Sequence, residues 1–145
     1  MQQRIILAAG ILALALLSAD ADENPTRTTS KQSPISTHVL DTRRGRPANG
    51  IGVQLAARTD SGTWQELGRG TTDADGRIGD LFPADKTLNR GVYRLTFDVA
   101  HYFAAMKQES FYPEVTIVFE IRSPTEHYHV PLLLSPYGYS TYRGS

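Results

Sequence analysis

Apolar and polar residues alternate along several short segments of the chain. Val115–Ile121 is apolar at every second position, and Ile51–Ala57 follows the same pattern, with both of its end residues on the apolar face. Successive strand side chains point to opposite faces, so a period of two predicts strands with one buried face. Other segments of β-rich composition lie between turn signals. The predicted strands are Ile35–Asp41, Ile51–Ala57, Trp64–Thr71, Tyr93–Phe97, Val115–Ile121, His127–Leu134 and Tyr139–Arg143.

One segment departs from this period. Residues 99–108 are rich in alanine and in other residues that favour a helix, and Asp98 stands where it can cap the first turn. Turn signals separate the strands, among them Asp60-Ser61-Gly62 and Asp73–Gly76. The pattern predicts an all-β fold, a two-sheet sandwich of about eight strands with one short helix.

The N-terminal part of the chain has a different composition. Arg4 precedes the apolar run Ile5–Leu17, and Ala19-Asp20-Ala21 follows with small residues suited to cleavage. This layout predicts a signal peptide over residues 1–21, although an uncleaved anchor is an alternative that the short run disfavours. Residues 22–33 are polar and aperiodic, and are predicted to be a disordered lead-in. A single domain over 34–145 is expected, located in the periplasm or secreted.

Composition and charge exclude several classes of function. The chain has no cysteine, so it can form neither disulfides nor thiolate metal sites. Its 15 basic and 15 acidic residues cancel, which gives no electrostatic basis for binding nucleic acid or, after signal cleavage, a membrane surface. No nucleophile elbow, phosphate-binding glycine loop or acid–base carboxylate pair is visible. Asp73–Gly76 imitates part of a calcium loop but lacks its later ligands, so a turn is predicted.

The penultimate predicted strand carries the most unusual residues. Its outward face bears His127, His129, Pro131 and Leu133. Two such imidazoles are often plain surface residues, but their apolar neighbours indicate an interface between subunits, with a pocket lined by the polar groups. A His-x-His pair can also bind a metal, yet a third ligand is required, and His38 could supply it only through the tertiary fold. No metal is therefore predicted.

Three blocks of sequence resemble one family. Thr37–Thr42, followed by Gly45-x-Pro47-Ala48, is similar to the opening signature of the 5-hydroxyisourate hydrolases of the transthyretin-related family. Thr72–Arg77 resembles their central signature. His127–Pro136 leads into Tyr139–Ser145, which resembles their C-terminal signature. Transthyretin shares the fold and the segment Leu134–Thr141, but it lacks the equivalents of His38, Arg77 and His129 and the final Tyr-Arg-Gly-Ser.

The resemblance implies a transthyretin-like sandwich and a ring-opening hydrolysis of 5-hydroxyisourate to 2-oxo-4-hydroxy-4-carboxy-5-ureidoimidazoline in urate breakdown. It implies no cofactor, a homotetramer with sites at subunit interfaces, and a periplasmic location for members with such a leader. The implied catalytic residues are His38, Arg77 and His129, and the implied substrate-binding residues are Tyr142, Arg143 and Ser145.

These residue types suit the chemistry. A histidine near its ordinary pKa can take a proton from water and return it to the leaving nitrogen, and His129 is the expected base, with His38 orienting water or substrate. Arg77 can hold a carbonyl-rich substrate and stabilise an oxyanion. His101 is expected to be structural. The alternatives are a carrier that binds a small aromatic ligand without turnover, and a structural sandwich module.

Overall fold

The computed structural model describes residues 33–144. The predicted signal peptide, all of the predicted lead-in except Ser33, and Ser145 lie outside the described residues. Ser33 is buried, and its hydroxyl donates a hydrogen bond to the Ile35 carbonyl (2.9 Å) and accepts one from the Phe82 amide (3.3 Å). No helix in the described part of the chain combines the length and the apolar character needed to cross a membrane.

The described residues form two sheets and one helix. The elements are β1 (Ile35–Asp41), β2 (Arg46–Pro47), β3 (Gly52–Arg58), β4 (Trp64–Thr71), β5 (Arg77–Ile78), β6 (Gly91–Phe97), α1 (Val99–Ala105), β7 (Val115–Ile121), β8 (Tyr128–Ser135) and β9 (Gly138–Thr141). One sheet has the order β2-β1-β8-β9, with β5 also paired to β1, and the other has the order β4-β3-β6-β7. The all-β sandwich with one helix is therefore confirmed.

The core lies between the sheets and takes every second residue of the central strands. Burying a large apolar side chain contributes about 1.5–3 kcal/mol, so this alternation fixes which face of each strand turns inward. The fully buried side chains include Ile35 and Val39 of β1, Leu95 and Phe97 of β6, and Leu132 and Leu134 of β8. The alternate residues face outward, and on β8 they include the polar His129 as well as the apolar Pro131 and Leu133.

Strand β3 keeps the predicted alternation to its end. Ala57 is opposite the core residue Tyr93 and packs against the core, although it is only half-buried. Ala56 is opposite Arg94 on the outward face and is nevertheless buried. The register against β4 shifts between Leu55 and Ala56, where Leu67 is the extra residue on the partner strand. This β-bulge lies on β4 and leaves the register of β3 against β6 continuous.

Helix α1 ends earlier than predicted, at Ala105. Asp98 caps its start by accepting a hydrogen bond from the amide of His101 (3.3 Å). Lys107 has a φ of 55°, and this left-handed conformation stops the helix. The helix is tied to the first sheet by Tyr102, whose hydroxyl donates to the buried carboxylate of Asp41 (2.9 Å).

The last strand also ends earlier than predicted. Pairing between β8 and β9 stops at Thr141, opposite Leu132, so Tyr142 and Arg143 lie beyond the strand. Gly144 then returns to β8 and forms an isolated antiparallel bridge with His129. This bridge keeps the register of the β8–β9 ladder, and the interruption falls at Pro131, which has no amide proton to donate.

Candidate active site

Strand β1 brings the predicted imidazoles and guanidinium together, because it pairs with β5 on one side and β8 on the other. His38 is opposite Arg77 of β5 and opposite Pro131 of β8, and Ser36 is opposite His129. Neighbouring strands lie about 4.8 Å apart, so these side chains share one small area on the outward face of the first sheet. His38 and His129 are half-buried, and Arg77 is exposed.

A turn with a fixed shape presents Arg77 to this area. The side-chain Oδ1 of Asp73 accepts hydrogen bonds from the amides of Asp75 (2.9 Å) and Arg77 (2.8 Å), as in an Asx turn. Gly76 has a φ of 71°, and an added Cβ there would lie 2.5 Å from the Val39 carbonyl oxygen. The predicted turn at residues 73–76 is confirmed, and only glycine fits its last position.

A serine links the two histidines of the predicted His-x-His pair. The Ser36 Oγ lies 2.8 Å from Nε2 of His127 and 2.9 Å from Nδ1 of His129. The predicted outward face of β8 includes His127 without assigning it a catalytic role, and Ser36 is not among the predicted site residues. The available signal was the position of Ser36 two residues before His38, on the same face of β1.

Both site histidines have a pKa below the ordinary value of 6.5. Partial burial is the largest cause for His129, followed by the positive charge of Arg77 and the neighbouring His127 and His38. Burial and then Arg77 lower the pKa of His38 in the same way, against smaller opposing effects of Asp73 and Asp75. Both imidazoles are therefore neutral at pH 7, the state in which a histidine can accept a proton.

The end of the chain lies against His129. The amide of Gly144 donates a 2.9 Å hydrogen bond to the His129 carbonyl, and an added Cβ on Gly144 would lie 2.5 Å from the ring carbon Cδ2. A larger residue at this position would therefore displace the imidazole. Ser145, which follows, lies outside the described residues.

Two other predicted substrate-binding residues are less clearly placed. Tyr142 is 57% exposed. The guanidinium of Arg143 forms an ion pair with Glu126 and stacks 5.2 Å from the centre of the Tyr128 ring. These contacts hold the Arg143 guanidinium next to the histidines, but they are not contacts with the histidines themselves.

The outward apolar patch is smaller than predicted. Pro131 is buried within the single chain and Leu133 is half-buried. The site is an open sheet surface. Two concave surfaces, of about 450 Å³ and 670 Å³, lie elsewhere, along the second sheet. They hold none of the predicted site residues, and the chemistry of the side chains locates the site better than concavity does.

No group of three or more metal-ligating side chains occurs within residues 33–144. Nor does a carboxylate in this range form an ion pair with Arg77. The arrangement thus offers two neutral imidazoles and a free cation on one face, which can accept a proton and stabilise an anion.

Fold and site define a small β-sandwich protein with imidazoles and a guanidinium grouped on one sheet face. The chain belongs to the HIUase/Transthyretin family, whose model matches residues 35–144.

Three relatives illustrate the range of this family. A protein of Salmonella typhi named 5-hydroxyisourate hydrolase is 44% identical over 143 residues, 99% of each chain. The structure of Klebsiella pneumoniae 5-hydroxyisourate hydrolase is similar with a TM-score of 0.66 at 39% identity, over 77% of this chain and 98% of the other. Sea bream transthyretin, solved in complex with thyroxine, gives 0.72 at 32% identity, over 77% and 95%. The fold alone does not separate enzyme from carrier.

Proposed function

We propose that the chain hydrolyses 5-hydroxyisourate to 2-oxo-4-hydroxy-4-carboxy-5-ureidoimidazoline, opening a cyclic amide in urate breakdown. The observation that carries this proposal is the grouping of His38, Arg77 and His129 on one face by the pairing of β1 with β5 and β8. The name of the Salmonella typhi relative, which aligns over nearly the whole chain, supports it.

In the proposed reaction, water attacks the lactam carbonyl. His129 takes the proton of the attacking water and returns it to the leaving nitrogen as the C–N bond breaks, while His38 orients water or substrate. Arg77 stabilises the oxyanion that forms on the carbonyl oxygen. The lowered pKa of His129 supports the first role, because the base is already neutral at pH 7. No cofactor takes part in any step.

The alternative is a carrier, and the fold of thyroxine-bound sea bream transthyretin favours it. A carrier requires shape and apolar contact, and it has no use for a neutral imidazole beside a guanidinium that has no ion pair within residues 33–144. The side chains on the outward face of β1, β5 and β8 therefore favour catalysis over simple binding.

A homotetramer is part of the proposal, with each site covered by another subunit. An open sheet face does not exclude water, and covering it would strengthen the interactions of Arg77 and the imidazoles. Tyr142, Arg143 and Ser145 are proposed to contact substrate. The ion pair that holds Arg143 is exposed, with side-chain exposures of 67% and 51%, and such pairs contribute only about 0–1 kcal/mol, so releasing it costs little.

The location proposed is the periplasm, reached through the signal peptide at residues 1–21. The apolar run and the small residues that follow it support this. The mature N-terminus should begin near Asp22 in a periplasmic extract. Full-length protein recovered from the cytoplasm alone would contradict the proposed export.

The deciding experiment adds the purified protein to freshly generated 5-hydroxyisourate and follows the ultraviolet decay of the substrate. The decay should accelerate in proportion to enzyme and should be unaffected by EDTA, since no metal takes part. An unchanged decay rate would favour the carrier. Light scattering on the same sample should give four times the mass of the mature chain, and an active monomer would refute the covered site.

A further inference from the structure

The hydrogen bonds of Ser36 restrict the protonation of its two neighbours. A hydroxyl has one proton, and Ser36 Oγ contacts Nε2 of His127 at 2.8 Å and Nδ1 of His129 at 2.9 Å. When both imidazoles are neutral, the hydroxyl can donate to only one of them. The other ring must then carry a proton on the nitrogen that faces Ser36 and donate it to the oxygen.

Two arrangements satisfy this rule, and they differ at the reactive atom. In the first, His129 donates from Nδ1 to Ser36, whose hydroxyl donates to His127, so Nε2 of His129 is bare. In the second, His127 donates to Ser36, whose hydroxyl donates to Nδ1 of His129, so Nε2 of His129 carries the proton. Only the first leaves His129 able to take a proton at Nε2.

The first arrangement also fits both states of His129 without movement. When Nε2 takes a proton, Nδ1 already carries one and continues to donate to Ser36. In the second arrangement the serine hydroxyl points its proton at Nδ1, and a doubly protonated ring would force it to turn away. A network that needs no rearrangement during proton transfer is the more effective one.

We propose that Ser36 is a positioning residue that holds His129 with its proton on Nδ1 and its Nε2 bare, with His127 acting as the acceptor that orients the serine hydroxyl. This assignment rests on the proposed function, because it assumes that His129 is the base. Ser36 itself touches no reacting atom. Its effect passes through the ring of His129, against which Gly144 also packs.

Nuclear magnetic resonance tests the assignment without substrate. Two-bond proton–nitrogen spectra of protein with ¹⁵N-labelled histidine distinguish the two neutral forms of each ring, and the His129→Ala variant identifies the signals of His129. We expect the Nδ1-protonated form of His129 in the native protein, and a shift toward the other form in Ser36→Ala. An Nε2-protonated His129 in the native protein would overturn the proposal, whether or not the protein is active.

Kinetics supply the second measurement. Ser36→Ala should lower kcat about 10–100-fold with little change in KM, the size of effect seen when a partner that orients a histidine is removed. Ser36→Thr keeps the hydroxyl and should retain most of the activity. Thr96→Ala removes a hydroxyl from the outward face of the second sheet and should leave kcat and KM unchanged. If the native protein is active and Ser36→Ala matches it, Ser36 has no positioning role; if the native protein is inactive, the proposed function itself fails.

Discussion

The outward faces of the two sheets use charged residues differently. On the second sheet, Glu66 forms an ion pair with Arg69 at 2.7 Å, and Arg94, which has no ion pair within residues 33–144, stacks over the Trp64 ring at 4.6 Å. On the first sheet, Arg77 has no ion-pair partner within residues 33–144, although it lies beside two imidazoles whose pKa it lowers.

This difference distinguishes an ordinary protein surface from a candidate active site. Exposed ion pairs contribute little to stability, and their charges are already paired and not available to a ligand. Arg77 disfavours the protonated forms of His38 and His129, against smaller opposing effects of Asp73 and Asp75 at His38. Without an ion pair within residues 33–144, this cation contributes little to stability, and it becomes useful when a substrate brings negative charge. The two histidine environments repeat the contrast, since His101 pairs with Asp98 at the start of α1, while His129 contacts a neutral serine.

The largest expected effect is on the base. His129→Ala should lower the rate of 5-hydroxyisourate hydrolysis by about 10²-fold or more, the contribution of a general base. His101→Ala, the matched change on an exposed histidine, should have far less effect. Steady-state rates of the two variants are compared after melting curves have confirmed that both are folded. Equal losses of rate would contradict the assignment of His129 as the base.

The two arginines allow a similar test. Arg77→Ala should reduce kcat by about 10²–10³-fold, because it removes an oxyanion donor. Arg69→Ala breaks only an exposed ion pair of the second sheet and should leave kcat unaltered. Similar kcat values for the native protein and Arg77→Ala would show that Arg77 has no role in catalysis.

Extending the chain beyond Ser145 is expected to lower the rate of hydrolysis by displacing the side chains of the site. Gly144 packs on the ring of His129, and a misplacement of about 1 Å can cost 10²-fold in rate. A C-terminal histidine tag should therefore depress turnover strongly, while the same tag placed before Pro34 should not. The two tagged proteins are to be assayed side by side at equal melting temperatures. Full activity with the C-terminal tag would place Ser145 away from the site.

The smallest effect expected is that of pH. Because the pKa of His129 is below 6.5, kcat/KM should be flat above that pH and should fall only at lower pH, as the neutral base is lost. Stability should follow the same sign: the unfolded chain binds more protons between the lowered pKa and 6.5, so melting temperature declines as pH drops through this window. An acid limb centred above 6.5 would contradict the assignment.

Much of the fold could be predicted from the sequence, because burial imposes the period of two on each strand separately. β1, β4 and β7 were predicted with the bounds that the structure shows. The errors lie at the ends of elements. Helix α1 ends at Ala105, before the left-handed Lys107, and the pairing of β9 with β8 ends at Thr141. The bulge at Leu67 of β4 was not predicted either, because it depends on the register with the partner strand.

The site was predictable only through the family resemblance. Nothing in the local pattern links His38, Arg77 and His129, since their proximity depends on a parallel pairing and a two-residue strand. Ser36 was missed because a serine in a strand carries no chemical signal until its neighbours are known. The side chain of Arg143 could not be placed either, because its pairing with Glu126 depends on the path of the chain after Thr141.

The pairing of β1 with β8 has a consequence for how the protein is made. Ser36 and His129 are separated by 93 positions, and as neighbours in a parallel ladder they can meet only when almost the whole domain is available. Such distant contacts close late and slowly during folding. A growing polypeptide therefore leaves one edge of the first strand, the edge that later pairs with β8, open through most of its synthesis, and chaperones that bind exposed strand edges should engage the chain before β8 emerges.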